Sequence, residues 1–303
     1  MLRSVLSALE QNEVGEVLLI DDGSDDNGID KVKSRFSEES RIRYFSSGGK
    51  QKGAGAARNT GIENVKFEFI SFLDADDYML PERFEKTRTV FAQFPEVDGV
   101  YEPLGRSGSD EVTMMTERVD PSSLFFSMEP FGKKGHFSVC GLTVKTDALG
   151  PSLKFSEGLE IGEDTEWLAR LSLKRNLYAG HLKDSVVMRT VHLANTTKQS
   201  KRSKTDKVLM SKMLIEWSIA QEQPKEVRDL LAELFLKYHY EENHILSSKR
   251  FIQRKYSDLR AAGFLLYSSS GFWSLPKVRY FLKTIFGFPV KNHIDYYQLN
   301  EGD

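Results

Sequence analysis

Residues 67–84 read FEFISFLDADDYMLPERF, an apolar run that stops at three carboxylates, Asp74, Asp76 and Asp77. A continuous apolar run is typical of a strand that is covered on both faces, as in a parallel sheet. Carboxylates at the end of such a strand repel one another and lose hydration, so they usually have a cation or strong hydrogen-bond donors as partners. A hard divalent cation, Mn²⁺ or Mg²⁺, suits these ligands.

Ordinary capping and turn chemistry offers a second explanation for the acidic residues. Asp77 precedes a segment with Pro81 and Glu82 at first-turn positions of a helix,. Asp21 and Asp22 end the earlier apolar run EVLLI, and the Asp-Gly-Ser sequence that they begin is common in turns,. Two acidic clusters after two successive strands favour a functional site over two caps.

Apolar runs alternate with helical patterns along the first part of the chain. The patterns predict strands at 16–20, 42–45 and 69–73, and helices at 2–11, 31–36 and 53–64,. This alternation predicts an α/β fold with a mainly parallel sheet and flanking helices. Ligands bind such sheets at the carboxyl ends of the strands, where both acidic clusters fall.

The texture of the sequence changes near residue 200. A basic polar stretch at 195–207 is followed by helical patterns at 208–220, 225–239 and 250–266. We therefore expect a first domain over 1–200 and a C-terminal helical extension over 201–303. The basic aromatic tail at 271–290 either packs into a core or rests peripherally on a membrane surface,.

Composition excludes several classes of protein. The net charge of -2, from 42 basic and 44 acidic residues, gives no footprint for nucleic acid,. The single cysteine, Cys140, excludes an internal disulfide and a zinc cluster, which favours a reducing, cytoplasmic location,. We expect neither a signal peptide nor a spanning helix, because no window of about 18 uncharged apolar residues occurs,.

A third acidic motif lies in EGLEIGEDTEWLARL, residues 157–171, where Glu163 and Asp164 begin a helical pattern. Acids at a helix start interact favourably with its dipole, which alone would explain them. Glycine before paired acids also exposes a carboxylate at a loop–helix junction, where a general base could lie. The segment GAGAAR, residues 53–58, is a poor dinucleotide fingerprint, because Arg58 replaces the third glycine,.

Four segments, in this order, resemble the family 2 inverting glycosyltransferases of GT-A fold, of the bacterial polysaccharide type. They are EVLLIDDGS (16–24), the segment 53–61 with Ala57-Arg58-Asn59 at its centre, FISFLDADD (69–77) and IGED (161–164). The resemblance covers roughly residues 1–195. It implies a GT-A, Rossmann-like mixed sheet that is mainly parallel, with flanking helices.

The resemblance also implies which residues bind the donor. Asp21 or Asp22 would hold the uracil or ribose of a nucleotide sugar, and Arg58 would reach the base or its phosphates. His192 would lie near the diphosphate, in the segment RTVHLAN that begins at Arg189.

The same resemblance assigns the metal and the base. Asp74 and Asp76 form the DXD pair, which would contact the ribose and a Mn²⁺ or Mg²⁺ ion that bridges the diphosphate. Asp77 would support this pair or bind the metal itself, beside Asp76. Asp164 would be the catalytic base that deprotonates the acceptor hydroxyl.

The implied activity is that of a hexosyltransferase-type glycosyltransferase in cell-surface polysaccharide synthesis. It would transfer a sugar, with inversion, from a UDP-sugar to a saccharide or lipid-linked acceptor. The alternative is a non-catalytic nucleotide-sugar-binding or scaffold protein. A nucleotidyltransferase is disfavoured, because the chain has no Gly-rich loop with Arg and Lys near its start.

One feature of the family is absent from this sequence. Members normally begin with a strand of the type VSVIIPxYN ahead of the helix that starts here at Leu2. Its absence would leave two neighbouring strands with unmatched backbone groups. We expect a start assigned too late or a shortened chain, rather than a true departure with the gap filled by something else. We also expect poor nucleotide affinity in this chain.

Overall fold

The computed structural model describes residues 1–47, 53–112, 124–125, 138–190 and 203–241. Two compact units divide the chain, Met1–Asp206 and Lys207–Asp303. In the described residues, no helix is long and apolar enough to cross a membrane.

The first unit alternates helices and strands. Its helices are α1 (Leu2–Leu9), α2 (Gly28–Arg35), α3 (Ala54–Asn64), α4 (Glu85–Gln93) and α5 (Glu163–Lys174), with single 3₁₀ turns at Val139–Gly141, Thr146–Ala148 and Pro151–Leu153. Its strands are β1 (Val17–Asp21), β2 (Ile42–Ser46), β3 (Phe69–Ser71), β4 (Tyr78–Met79), β5 (Gly99–Tyr101), β6 (Leu104–Arg106), β7 (Ser109–Val112), β8 (Leu142–Lys145), β9 (Leu177–Ala179) and β10 (Val187–Arg189).

The strands form three sheets in the described part of the chain, with the orders β1-β2, β3-β8-β5-β9 and β4-β10-β6-β7. The pairs β1–β2, β5–β9 and β6–β10 are parallel, and the other pairs are antiparallel. The predicted α/β fold with mixed pairing is therefore confirmed, but the described sheets are not mainly parallel, since three pairs are parallel and four are antiparallel. Antiparallel pairs are numerous because β8 lies between β3 and β5 and runs opposite to both.

A cleft of about 810 Å³ lies beside β1 and β3 and is lined by residues of both strands. The bonds of β1 to β2 run through Val17, so by alternation the backbone groups of Leu18 and Ile20 face away from β2,. By the same alternation, those of Phe69 and Ser71 face away from β8. Among the described strands, none pairs with these two edges. Every residue of β1 is consequently only half-buried, although its sequence predicts a strand covered on both faces.

An aromatic cluster packs below the end of β3 and supports the acidic turn that follows. The rings of Phe155 and Trp167 stack at 4.2 Å between centroids, and Phe72 meets both edge-on at 5.7 Å. The indole nitrogen of Trp167 donates to the Leu153 carbonyl at 2.6 Å. Because Phe72 lies two residues before Asp74, this packing holds the start of the acidic turn in place at the end of β3.

The second unit contains the rest of α6 (Ser203–Ala220), which begins in the first unit, and α7 (Lys225–Glu241). Both follow the helical patterns predicted at 208–220 and 225–239. Leu214, Ile215, Leu231 and Phe235 are fully buried. The helix predicted at 250–266 and the basic aromatic tail at 271–290 lie outside the described residues.

Candidate active site

Arg58, in the second turn of α3, joins two of the acidic motifs. Its Nη2 donates to Asp74 Oδ1 at 3.0 Å, and its Nη1 donates to Glu163 Oε1 at 2.8 Å. Burial alone would lower the pKa of Arg58, but the Asp74 and Glu163 carboxylates raise it above its ordinary value. Asp74 and Glu163 therefore share one guanidinium, although Arg58 and Glu163 are 105 positions apart in the sequence.

The two acids at the start of α5 have different environments. Glu163 is buried against Arg58; burial raises the pKa of its carboxyl and the adjacent Asp164 adds to this, while Arg58 opposes it. Asp164 is half-buried, and its Oδ1 accepts hydrogen bonds from the Thr165 backbone N–H at 2.6 Å and hydroxyl at 3.3 Å. Asp164 is thus the more solvent-accessible of the two carboxylates.

The DADD motif folds into a tight turn in which the Asp77 amide donates to the Asp74 carbonyl at 3.1 Å. This turn places Asp76 in solvent and Asp77 in the interior. Oδ1 of Asp77 accepts from the Thr190 amide at 2.8 Å, so the turn is tied to the residue that follows β10. The Ser4 hydroxyl of α1 donates to the Asp74 carbonyl at 3.2 Å.

The oxygens of this turn fit a hard divalent cation. Candidate ligand atoms of Asp74, Asp77 and Cys140 lie within 4.8 Å of one another. Burial raises the pKa of the Cys140 thiol well above its ordinary value, so the sulfur keeps its proton and is a poor ligand,. The atoms that could bind a cation here are therefore carboxylate oxygens, which Mn²⁺ and Mg²⁺ prefer as ligands.

The pKa of Asp77 predicts a pH-dependent stability. Burial raises this pKa from 3.8 to about 6, with Asp74 and Asp76 acting in the same direction and the Thr190 amide opposing them. Between these values the unfolded chain loses a proton that the folded chain keeps, so the free energy of unfolding falls as pH rises. Relative to Asp77→Asn, the native sequence should lose roughly 2 kcal/mol of stability between pH 4 and pH 7. Urea unfolding of both proteins across this range measures the difference, and a difference that does not change with pH would contradict the prediction.

The earlier acidic pair lies at the end of β1. Asp22 accepts hydrogen bonds from the Ser47 hydroxyl and, at 2.6 Å, from the Gly53 amide. Asp21 Oδ1 accepts from the Ser24 amide at 3.0 Å, within the turn that Asp-Gly-Ser predicts. Because Gly53 precedes α3, Asp22 ties β1 to the helix that carries Arg58.

His192 is the remaining residue that the resemblance assigns to the donor. His192 lies outside the described residues. The residues just before it are described: Arg189 ends β10, and Thr190 bonds Asp77.

Asn59 is a site residue whose role the sequence did not predict. Its side-chain amide donates to the Phe155 carbonyl at 2.9 Å and accepts from the Phe155 amide at 2.7 Å. Asn59 thus anchors the loop that leads to Glu163. The available signal was its position next to Arg58 inside a helix, where asparagine is unfavourable without a specific partner.

Sequence comparisons find that part of this chain is similar to glycosyltransferases. Residues 1–143 match the family model described as glycosyl transferase family 2. An uncharacterized glycosyltransferase of Haemophilus influenzae is 36% identical over 85 residues, which are 28% of this chain and 34% of that protein. Chondroitin synthase of Escherichia coli is 35% identical over 86 residues, which are 28% of this chain and 12% of that protein. The matches thus span about a third or less of these relatives.

Solved structures with a similar fold include TarS of S. aureus, residues 1–349. It superposes with a TM-score of 0.63 at 16% identity, over 87% of this chain and 78% of that chain. The same protein in complex with UDP-GlcNAc gives a TM-score of 0.62 at 17% identity, over 91% and 79% of the two chains. Residues 1–143 are thus similar to family 2 glycosyl transferases, and the superposition shows that the chain shares the GT-A fold of TarS.

Proposed function

We propose that the site transfers a sugar from a nucleotide-sugar donor, with a UDP-sugar as the first candidate, to a hydroxyl of a saccharide or lipid-linked acceptor. The observation that carries this proposal is the Arg58 guanidinium held between Asp74 and Glu163, which puts the DADD turn beside the Asp164 carboxylate. A donor-side acidic turn and an acceptor-side base are the two parts that such a reaction needs. The complex of TarS with UDP-GlcNAc supports a UDP-sugar as the donor.

The donor half of the site would neutralise the leaving group. Asp76, with Asp74 and Asp77 beside it, would hold a Mn²⁺ or Mg²⁺ ion, whose charge compensates that of the diphosphate as it departs. Asp77 is bonded to Thr190 and keeps the turn in place. His192 follows two residues later, and we propose that it contacts the diphosphate.

The acceptor half would activate the hydroxyl. The Asp164 carboxylate accepts the hydroxyl proton while the acceptor oxygen forms its bond to the anomeric carbon. The bond from that carbon to the diphosphate oxygen breaks in the same step, and its electron pair leaves with the diphosphate. Because attack and departure occur on opposite faces, the anomeric configuration inverts without a protein nucleophile.

The experiment for the donor proposal is a thermal-shift screen of the chain against UDP-sugars and other nucleotide sugars, with Mn²⁺ or with EDTA. We expect at least one UDP-sugar to raise the melting temperature in the presence of Mn²⁺, and less so for Asp76→Ala. If no nucleotide sugar stabilises either the chain or the apolar fusion described below, the donor proposal is wrong.

The cleft beside β1 and β3 favours a second candidate, a protein that binds nucleotide sugars without turnover. Both strands end at acidic motifs that would contact the donor. The adjoining edges of β1 and β3 have no partner strand among the described residues, so their outward backbone groups are available to a further strand. We propose that an apolar strand placed between these two edges would complete the nucleotide site. Ser4 lies against the Asp74 carbonyl, so such a strand would end at the same edge as β3.

A fusion tests the strand. About five Val and Ile residues, the length of an ordinary strand, are placed directly ahead of Met1. This fusion should have a higher melting temperature than the chain, and its UDP affinity should be about tenfold higher or more. A matched fusion with Ser and Gly residues should change neither. Equal UDP affinity in the apolar and Ser-Gly fusions would show that the strand is dispensable. All transfer assays below use both the chain and its apolar fusion, and binding without transfer in both would favour the non-catalytic candidate.

A further inference from the structure

The loop that delivers Asp164 has little regular structure of its own. Between the 3₁₀ turn that ends at Leu153 and the start of α5, no described strand or helix occurs. Gly158 and Gly162 have left-handed φ angles of 92° and 88°, a conformation that glycine adopts without strain. Side chains from elsewhere must therefore hold this loop if Asp164 is to have a fixed position.

Asp206, in the first turn of α6, supplies such a contact. It is fully buried, and its Oδ2 accepts hydrogen bonds from the backbone amides of Glu160, at 2.9 Å, and Ile161, at 3.2 Å. Two consecutive amides that share one carboxylate oxygen form charge-assisted hydrogen bonds, which are stronger than neutral ones. The residues involved are about 45 positions apart in the sequence and lie within the same compact unit.

The contact acts close to the reacting group. Ile161 is separated from Glu163 only by Gly162, and Glu163 is held on its other side by Arg58. Asp206 thus fixes the backbone just before α5 starts, and Arg58 fixes the first residue of that helix. Asp164 follows directly, so any shift of residues 160–161 would move its carboxylate.

We propose that Asp206 is a positioning residue that sets the location of the Asp164 carboxylate through the backbone of residues 160–161. This inference rests on the proposed role of Asp164 as the base. Asp206, like Glu163 and Asp164, lies outside the segment matched by the family model, which ends at residue 143.

The test compares Asp206→Ala and Asp206→Asn with a matched control, Asp98→Ala. Asp98 also accepts a backbone amide from a distant residue, Asn176, at 2.8 Å, but at the amino ends of β5 and β9. The first readout is kcat and donor KM for sugar transfer. The second is hydrogen–deuterium exchange of the peptide that covers residues 155–166, which does not depend on activity.

We expect Asp206→Ala to lower kcat by about 10²-fold, as a small misplacement of a catalytic group does, with donor KM changed less than about threefold. Exchange in residues 155–166 should become faster. Asp206→Asn keeps an accepting oxygen without the charge and should lose about tenfold in kcat; it decides the matter if the alanine variant does not fold. Asp98→Ala should leave kcat and this peptide unchanged.

Two results would overturn the inference: unchanged exchange in residues 155–166 when Asp206 is replaced, or loss of kcat no greater than that of Asp98→Ala. Absence of transfer by the unmutated protein is a different result, because it would contradict the proposed function. The exchange measurement would then still decide whether Asp206 holds this loop.

Discussion

Asp164→Asn should lower kcat for sugar transfer by about 10²–10⁴-fold, the usual contribution of a positioned general base, and leave donor affinity nearly unchanged. Asparagine keeps the shape of the side chain, and its oxygen can still accept from the Thr165 amide that Asp164 engages at 2.6 Å. It cannot accept the proton of the acceptor hydroxyl. UDP release at saturating donor and acceptor measures kcat, and calorimetric titration with UDP measures the affinity.

The control for this variant is Asp30→Asn. Asp30 lies in the first turn of α2, as Asp164 lies in the first turn of α5, and it is exposed. Both substitutions remove an acid that stabilises a helix start through the dipole, by about 0.3–1 kcal/mol. If Asp164 only stabilises the start of its helix, both variants will lose the same small amount of stability. Both will also keep the kcat of the unmutated protein. That outcome would exclude Asp164 as the base.

Arg58→Met should lower the free energy of unfolding by about 3–5 kcal/mol, as expected when one partner of a buried ion pair is removed. Methionine retains much of the side-chain volume, so the loss arises from the charges. Glu163 remains buried without its cation, whereas Asp74, which is 42% exposed, can be hydrated. Urea unfolding measures the change.

Two further variants isolate the cause. Arg41→Met breaks an ion pair with Glu39 in which the arginine side chain is 35% exposed, together with hydrogen bonds to the Leu9 and Val14 carbonyls, and it should cost less than Arg58→Met,. Adding Glu163→Gln to Arg58→Met removes the stranded charge and should recover part of the lost stability. If Arg58→Met costs no more than Arg41→Met, Arg58 does not hold the two motifs together.

The sequence predicted the elements that carry the acidic residues better than the contacts between those elements. The apolar run before Asp74 is confirmed as a strand of an α/β fold, and the acid pair after Gly162 does begin a helix. No local pattern could show that Asp77 turns inward to Thr190, 113 residues away. Such contacts depend on which loops meet in the folded chain, and that is set by packing between distant elements.

The motif Ala57-Arg58-Asn59 also makes contacts that the sequence did not predict. The resemblance assigned Arg58 to the nucleotide, and that assignment stays a proposal. In the structure, the guanidinium bonds Asp74 and Glu163, and Asn59 bonds both backbone groups of Phe155. A helical pattern predicts where α3 lies, but it does not reveal the partners on the loop opposite. The half-burial of β1 was equally hidden, since its sequence does not show which neighbours are present.

The most direct test of the proposed transferase is the fate of the donor sugar. The protein and its apolar fusion are incubated with the UDP-sugar that stabilises them most, a panel of saccharide acceptors and either Mn²⁺ or EDTA. Nuclear magnetic resonance then identifies the product. We predict UDP release coupled to a new glycosidic bond of inverted anomeric configuration, with Mn²⁺ and not with EDTA. A product with retained configuration, or donor binding without any glycosidic product from either protein, would contradict direct displacement by an Asp164-activated hydroxyl.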